Sequence, residues 1–320
     1  MSEMKFTWIP FYTALADRLL DFRENRANLL LHIRKVYDDA GMKLPRLESD
    51  GNPTDIDPFT VFGLFNKGMK SKNRLAIAKG LAQELELDAP LPEDFDGIPV
   101  LNALMAVFYG FWENREEHAI DNLWQLYDTA LRLADDDTQD HREEFSKIYD
   151  VVIQQKYIRW NITMGLYWIR PYFYLNLDST NRWYMEEPDV VPETFLQEAR
   201  PIIKKVPVAE QYLRLCDRFR EVISKGECEY HSFPEFSYQA WKASTEANQQ
   251  SVKDEWIPVD YDPGLSAADW AALIADPQIF PMRMSIPCIT GSMRRAKALG
   301  CGRHFIRMAL WRSVGMKSMI

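Results

Sequence analysis

The chain has 320 residues, 47% of them apolar and 27% charged, with a formal net charge of −9, which suits a water-soluble globular protein large enough for one big domain or two smaller ones. No apolar run reaches the ~20 residues of a membrane helix, since the longest, Leu101 to Trp112, is interrupted by Asn102 and Gly110. The opening M-S-E-M-K-F-T-W lacks the basic-then-apolar shape of a signal peptide, so the expectation is a cytoplasmic chain with no membrane partner.

Charge is unevenly divided. Residues 281–320 hold eight Lys or Arg and no acid, leaving 30 basic against 47 acidic residues in the first 280, a net of −17. An acidic body argues against broad, sequence-blind DNA binding, which depends on neutralising many phosphates, but leaves room for a local basic groove. Cys216, Cys228, Cys288 and Cys301 show no C-x-x-C spacing, and the five histidines form no H-E-x-x-H or H-x-H pattern. Reduced thiols and no zinc site are expected.

In chain order, Phe11, Leu15, Leu19, Phe22, Leu29, Leu30, Ile33 and Val36 mark one apolar helical face from Pro10 to a stop at Gly41. A loop rich in Pro, Asp and Gly follows, then P-F-T-V-F-G-L-F-N-K-G with Phe59, Phe62 and Phe65 at every third position. Ser71 is placed to cap a helix carrying Leu75, Ala78, Leu81 and Leu85. Helical spacing returns from Ile120 to Ala134 and from Phe145 to Val152, with Asp135, Asp136, Asp137 and Asp140 near the second helix's start. Asn161 to Ile169 reads as a helix ended by Pro171, and Asp178 or Ser179 as the N-cap of S-T-N-R-W-Y. Beyond the linker-like E-E-P-D-V-V-P-E, helices are expected around Ala209–Ile223, from Pro234 to Asn248, and after Ser266.

Strands are few, so the fold class is mainly α. The expected organisation is a helical N-terminal domain over 1–186 and a smaller helical second domain or connector over 194–280. A basic tail over 281–320 follows, either disordered or frameshift-derived, with a nucleic-acid-binding arm as the lesser alternative.

Gly63-L-F-N-K-Gly68-M-K-Ser71 nearly matches the phosphate loop G-x-x-x-x-G-K-[ST], but Met69 displaces the lysine by one position and no aliphatic strand precedes it. The chain therefore carries no convincing ATPase or GTPase site, and no cofactor is expected. Asp94 and Asp96, and the group Glu113, Glu116, Glu117, His118 and Asp121, have the chemistry of metal or acid–base sites. Solvated helix starts are the more frequent origin of such clusters. No G-x-S-x-G elbow is present.

The stretch Trp160–Tyr184 mixes large aromatics with Arg, Asn and Asp. Such a mixture is either a core with a satisfied polar network or a recognition surface. In the second case Trp160, Tyr167, Trp168, Trp183 and Tyr184 would stack on bases, Arg170 and Arg182 would hold phosphates or base edges, and Asn176, Asp178 and Asn181 would read hydrogen-bonding edges. In the first, Asp178 caps a helix and Arg170 pairs with a carboxylate.

F-T-W-I-P-F-Y (6–12), D-I-D-P-F-T-V-F-G-L-F-N-K-G (55–68), D-F-D-G-I-P-V-L-N (94–102), A-I-D-N-L-W (119–124), W-N-I-T-M-G-L-Y-W-I-R-P (160–171), L-N-L-D-S-T-N-R-W-Y (175–184) and F-P-E-F-S-Y-Q-A-W (233–241) occur in that order. This series resembles the region preceding the motor domain of McrB-like AAA+ restriction proteins, the GTP- or ATP-driven subunits of modification-dependent restriction systems. Y-D-P-G-L-S-A-A-D-W-A-A-L-I-A-D-P (261–277) is similar to that family's connecting region. The resemblance implies DNA recognition, including recognition of modified DNA, with an AAA+ motor or nuclease subunit as protein partner. The motor's phosphate loop and Mg²⁺-binding acids are not found in this sequence, and the likeness ends near Phe280. It therefore implies a truncated or frameshifted product that keeps the recognition or assembly role without NTP hydrolysis. A protein-interaction scaffold that never touches DNA is the alternative, with a metal-dependent hydrolase or nuclease using the 113–121 acids third.

Overall fold

The computed structural model describes residues 6–102 and 105–255. Residues up to Gln250 form one compact unit, and the elements below lie in it apart from the last five residues of the final helix, Phe233–Glu255. The expected helix after Ser266, the connector-like stretch 261–277 and the basic tail 281–320 lie outside the described residues. Among those residues there are eleven α-helices and no strand, only an isolated bridge between Lys67 and Leu101, so the mainly-α expectation holds.

The apolar stripe near the N-terminus is two helices rather than one. α1 (Trp8–Leu19) passes through a short 3-10 turn and α2 (Arg26–Asp39) starts after Asn25, whose φ of −137° and ψ of 52° leave the helical region. Both halves keep their apolar face inward, which is why the periodicity alone reads straight across the break. Gly41 stops α2 as expected. At φ +63° it lets the Met42 N–H reach back to the Tyr37 carbonyl at 2.9 Å, satisfying a carbonyl of the last turn.

α3 (Pro58–Phe65) is capped by Asp57, whose carboxylate accepts from the Thr60 N–H at 3.0 Å, and Pro58 occupies the first turn, where no N–H is needed. α4 (Ser71–Glu84) begins at Ser71 itself, with Lys70 in the cap position and no side-chain cap, so Ser71 is not the cap expected. α5 (Ala119–Asp135) is the central helix, packing on α3, on α6 (Gln139–Val152) and on α7 (Asn161–Ile169). Thr138 caps α6. α8 (Ser179–Met185), α9 (Glu193–Ile202), α10 (Ala209–Ser224) and α11 (Phe233–Glu255) complete the set.

The core is rich in aromatics, and several of their polar tips are tied to backbone. Tyr127 Oη donates to the Ala16 carbonyl at 2.9 Å, Tyr174 Oη to Ala130 at 2.8 Å and Tyr212 Oη to Leu175 at 2.8 Å. The Trp124 and Trp168 indole N–H groups donate to the Ile56 and Pro99 carbonyls at 2.9 and 3.2 Å. Each bond adds about 0.5–1.5 kcal/mol net, yet leaving such a buried donor empty costs more, so these ties fix which elements meet. Phe145, Tyr149, Tyr212 and Tyr174 form a stacked set whose Tyr149 and Tyr212 rings lie 5.6 Å apart and 4° from parallel. Gly63 meets another close approach: an added Cβ would fall 2.2 Å from the Ala106 carbonyl oxygen.

The 186–193 segment, where the sequence suggests a domain boundary, lies inside this compact unit. Contacts cross it: Tyr212 reaches Leu175, and Arg182 Nη1 donates to the Ile203 carbonyl at 3.2 Å.

Candidate functional site

The Asp178 carboxylate accepts from the Asn181 N–H at 2.8 Å and starts α8, as one reading of the sequence expects. Burial raises the Asp178 pKa, while the Asn181 N–H and the Asn176 side chain favour its charged form. Asn176 Oδ1 accepts from the Asp178 N–H at 3.1 Å. Asn181 Nδ2 donates both to the Asn176 carbonyl, at 3.0 Å, and to Ser237 Oγ on α11, at 2.6 Å. This small buried network joins α8 to α11.

On the other side, Gly97 at φ +74° brings the 95–102 loop against α11, where a Cβ would lie 2.9 Å from Tyr238 Cα. Between the loop, the start of α7, the 176–182 segment and α11 lies a cleft of about 550 Å³. That is within the range of small-molecule sites. Ile98, Pro99, Met105 and Met164 contribute apolar surface, and Trp160 and Trp241 contribute rings. Its charged lining groups are Arg159, Arg182 and Asp178.

Arg182 is the best-defined of these. Its guanidinium carbon lies 4.0 Å from the Trp160 ring centroid, Nε donates to the Leu177 carbonyl at 3.1 Å, and Nη1 is held by Ile203. Nη2 has no hydrogen-bond partner among the described residues. Burial lowers the Arg182 pKa, countered by the Asp178 and Glu186 charges, and a guanidinium remains charged under such a shift. The group is thus a fixed cation backing an indole ring.

Five of the ten residues singled out in the sequence line this cleft: Trp160, Asn176, Asp178, Asn181 and Arg182. The other five are elsewhere. Tyr167 and Trp168 are completely buried, Trp168 between Phe62 and Phe108 at 6.3 and 6.4 Å, so the stacking role expected of both is closed off by protein rings. Arg170 joins α7 to α1 and α5 through Asp17 at 2.7 Å and Asp135 at 2.8 Å. Burial opposes its charge, but those two carboxylates raise its pKa. That is the carboxylate-paired reading of Arg170 rather than the phosphate-holding one. Trp183 is 38% exposed and faces a neighbouring groove, while Tyr184 shares a hydrogen bond with Tyr230 at 2.8 Å.

Sequence reasoning passed over Ser237 and Trp241. They stand four residues apart and therefore share one face of α11, a spacing visible within F-P-E-F-S-Y-Q-A-W.

The near-miss phosphate loop is built differently from a real one. Gly63 lies inside α3 against Ala106, and the buried Asn66 accepts from Tyr12 Oη at 2.6 Å. The 113–121 acids spread outward: Glu116 accepts from the Lys156 N–H at 3.1 Å and Asp121 pairs with Arg26 at 2.7 Å. Among the described residues no group of three or more His, Cys, Asp or Glu is disposed to hold a metal ion, and no helix is long and apolar enough to cross a membrane.

A family model described as "Domain of unknown function (DUF8425)" matches residues 8–243, a span that contains every residue named above as lining the cleft. No curated protein and no solved structure matches the chain.

Proposed function

The chain belongs to the DUF8425 family, and on that premise we propose that its cleft is a nucleic-acid recognition site that takes one unpaired or extruded base. The chain would act as the DNA-recognition or assembly module of an McrB-like restriction system, working with an AAA+ motor or nuclease subunit supplied by another chain. The observation that carries this reading is the convergence of Trp160, Arg182 and Trp241 around a cleft whose floor holds amide and hydroxyl groups. Flat π-faces bind any base by stacking, and fixed polar groups at the floor allow one base edge to be distinguished from another. The −17 charge of residues 1–280 fits such a site, because a locally cationic cleft on an acidic body disfavours indiscriminate duplex binding.

Fluorescence anisotropy of the full chain with matched duplex, mismatched duplex and single-stranded DNA, each with plain and modified bases, tests this. The mismatched and single-stranded forms should bind more tightly, since they lower the cost of freeing a base. Trp241→Ala should weaken them by about 5- to 150-fold, the equivalent of about 1–3 kcal/mol for one stacked base. Equal affinity for all forms, unaffected by Trp241→Ala, would overturn the reading.

The acidic body also favours a second reading, a protein-interaction scaffold. It predicts co-purification with a motor or nuclease subunit and no salt-dependent DNA binding at all.

A further inference from the structure

Beside the cleft lies a second depression of about 410 Å³, lined by Ser179, Arg182, Trp183, Glu186, Ile203 and Lys204. Ser179 and Arg182 line both, so the two depressions meet along α8. Trp183 presents a ring that is 38% exposed, and Lys204 is an exposed ammonium with no ion pair among the described residues. The shared Arg182 is immobilised by the Leu177 and Ile203 carbonyls, which leaves Nη2 at the junction.

From this juxtaposition we infer that cleft and groove form one continuous track for a single strand of nucleic acid. The inference rests on the base-binding reading of the cleft and extends it from one base to its neighbour. With one base in the cleft, the adjoining phosphate crosses Ser179 and Arg182, the next base stacks on Trp183, and the following phosphate meets Lys204. An exposed aromatic alternating with fixed cations is the arrangement that follows a flexible strand, since every base offers a π-face and the spacing tolerates sequence. Glu186 is the one acidic group in the groove and opposes a phosphate there. Removing its charge should strengthen strand binding.

The test uses the full chain with a mononucleotide and a pentanucleotide of the same base. Wild type should bind the pentanucleotide at least ~10-fold more tightly than the mononucleotide, on the scale of one added stacked base. Combining Trp183→Ala with Lys204→Ala should erase that gain while mononucleotide affinity and thermal midpoint stay at the wild-type values. Lys204→Ala alone should flatten the slope of log affinity against log salt by about 0.7, one phosphate's worth for a single strand. Glu186→Gln should raise pentanucleotide affinity. If the length gain survives the double substitution, the track is wrong although the cleft still binds a base. If neither ligand binds wild type, both the cleft reading and the track fall.

Discussion

Two regions of this protein use the same side chains for opposite ends. In the core, Trp124, Trp168, Tyr127, Tyr174 and Tyr212 are fully buried, each with its polar tip on the carbonyl of another element. At the cleft and groove, Trp160 is backed by the Arg182 guanidinium, and Trp183 and Trp241 each remain 38% exposed. An aromatic whose faces are covered by other rings and whose tip is bonded has spent its recognition chemistry on the fold. One backed on a single side by a fixed cation still has a face to offer. The local letters do not separate these cases, since Trp168 and Trp183 stand in the same aromatic-polar stretch.

The sharpest way to break that contrast is to truncate one ring from each region. Trp168→Ala should cost about 3–5 kcal/mol of folding stability, the usual price of a large buried ring. Trp241→Ala should change stability by less than about 1 kcal/mol, as expected of a half-exposed site. Urea titrations of the two variants check this, and equal losses would erase the distinction.

Next in size is Gly63→Ala. Its new methyl would collide with the Ala106 carbonyl, a backbone atom that cannot rotate away, and should cost about 1–3 kcal/mol in the same titration.

A further effect separates the regions by pH. Burial raises the Asp57 carboxyl from its ordinary 3.8 to about 7, against the opposing hydrogen bonds from Thr60. A pKa raised on folding means the native state holds the proton more tightly. Its contribution to stability is full below about pH 4 and is lost as pH rises through about 7. Subtracting the denaturation midpoints of Asp57→Asn from those of wild type across that window should therefore give a falling difference. A difference that is flat or rises with pH would contradict the assignment. The cleft lies outside this effect, so nucleic-acid affinity of Asp57→Asn at neutral pH should match wild type.

Much of the helical architecture was legible. Periodic apolar positions located α5 and α6, Gly41 marked the end of α2, and Asp178 marked the start of α8. The break at Asn25 was not, because neither Gly nor Pro signals it and the apolar face continues across. The cap at Asp57 was hidden in a loop crowded with aspartates. Of the cleft's lining, the sequence singled out Trp160 and residues of the 176–182 segment but not Ser237 and Trp241, which come from some 60 residues further along the chain on an expected helix. One of its two readings placed Tyr167 and Trp168 at a surface they never reach, since exposure depends on what packs opposite, and those partners, Phe62 and Phe108 for Trp168, lie far away in sequence.

Photo-crosslinking the full chain to a pentanucleotide carrying one halogenated pyrimidine, followed by peptide mass spectrometry, tests the central claim most directly. It also separates the cleft from the basic residues of 281–320. Crosslinks at Trp160 or Trp241, with a weaker set at Trp183, are the predicted result. Crosslinks confined to residues 281–320, with none in the cleft, would contradict it.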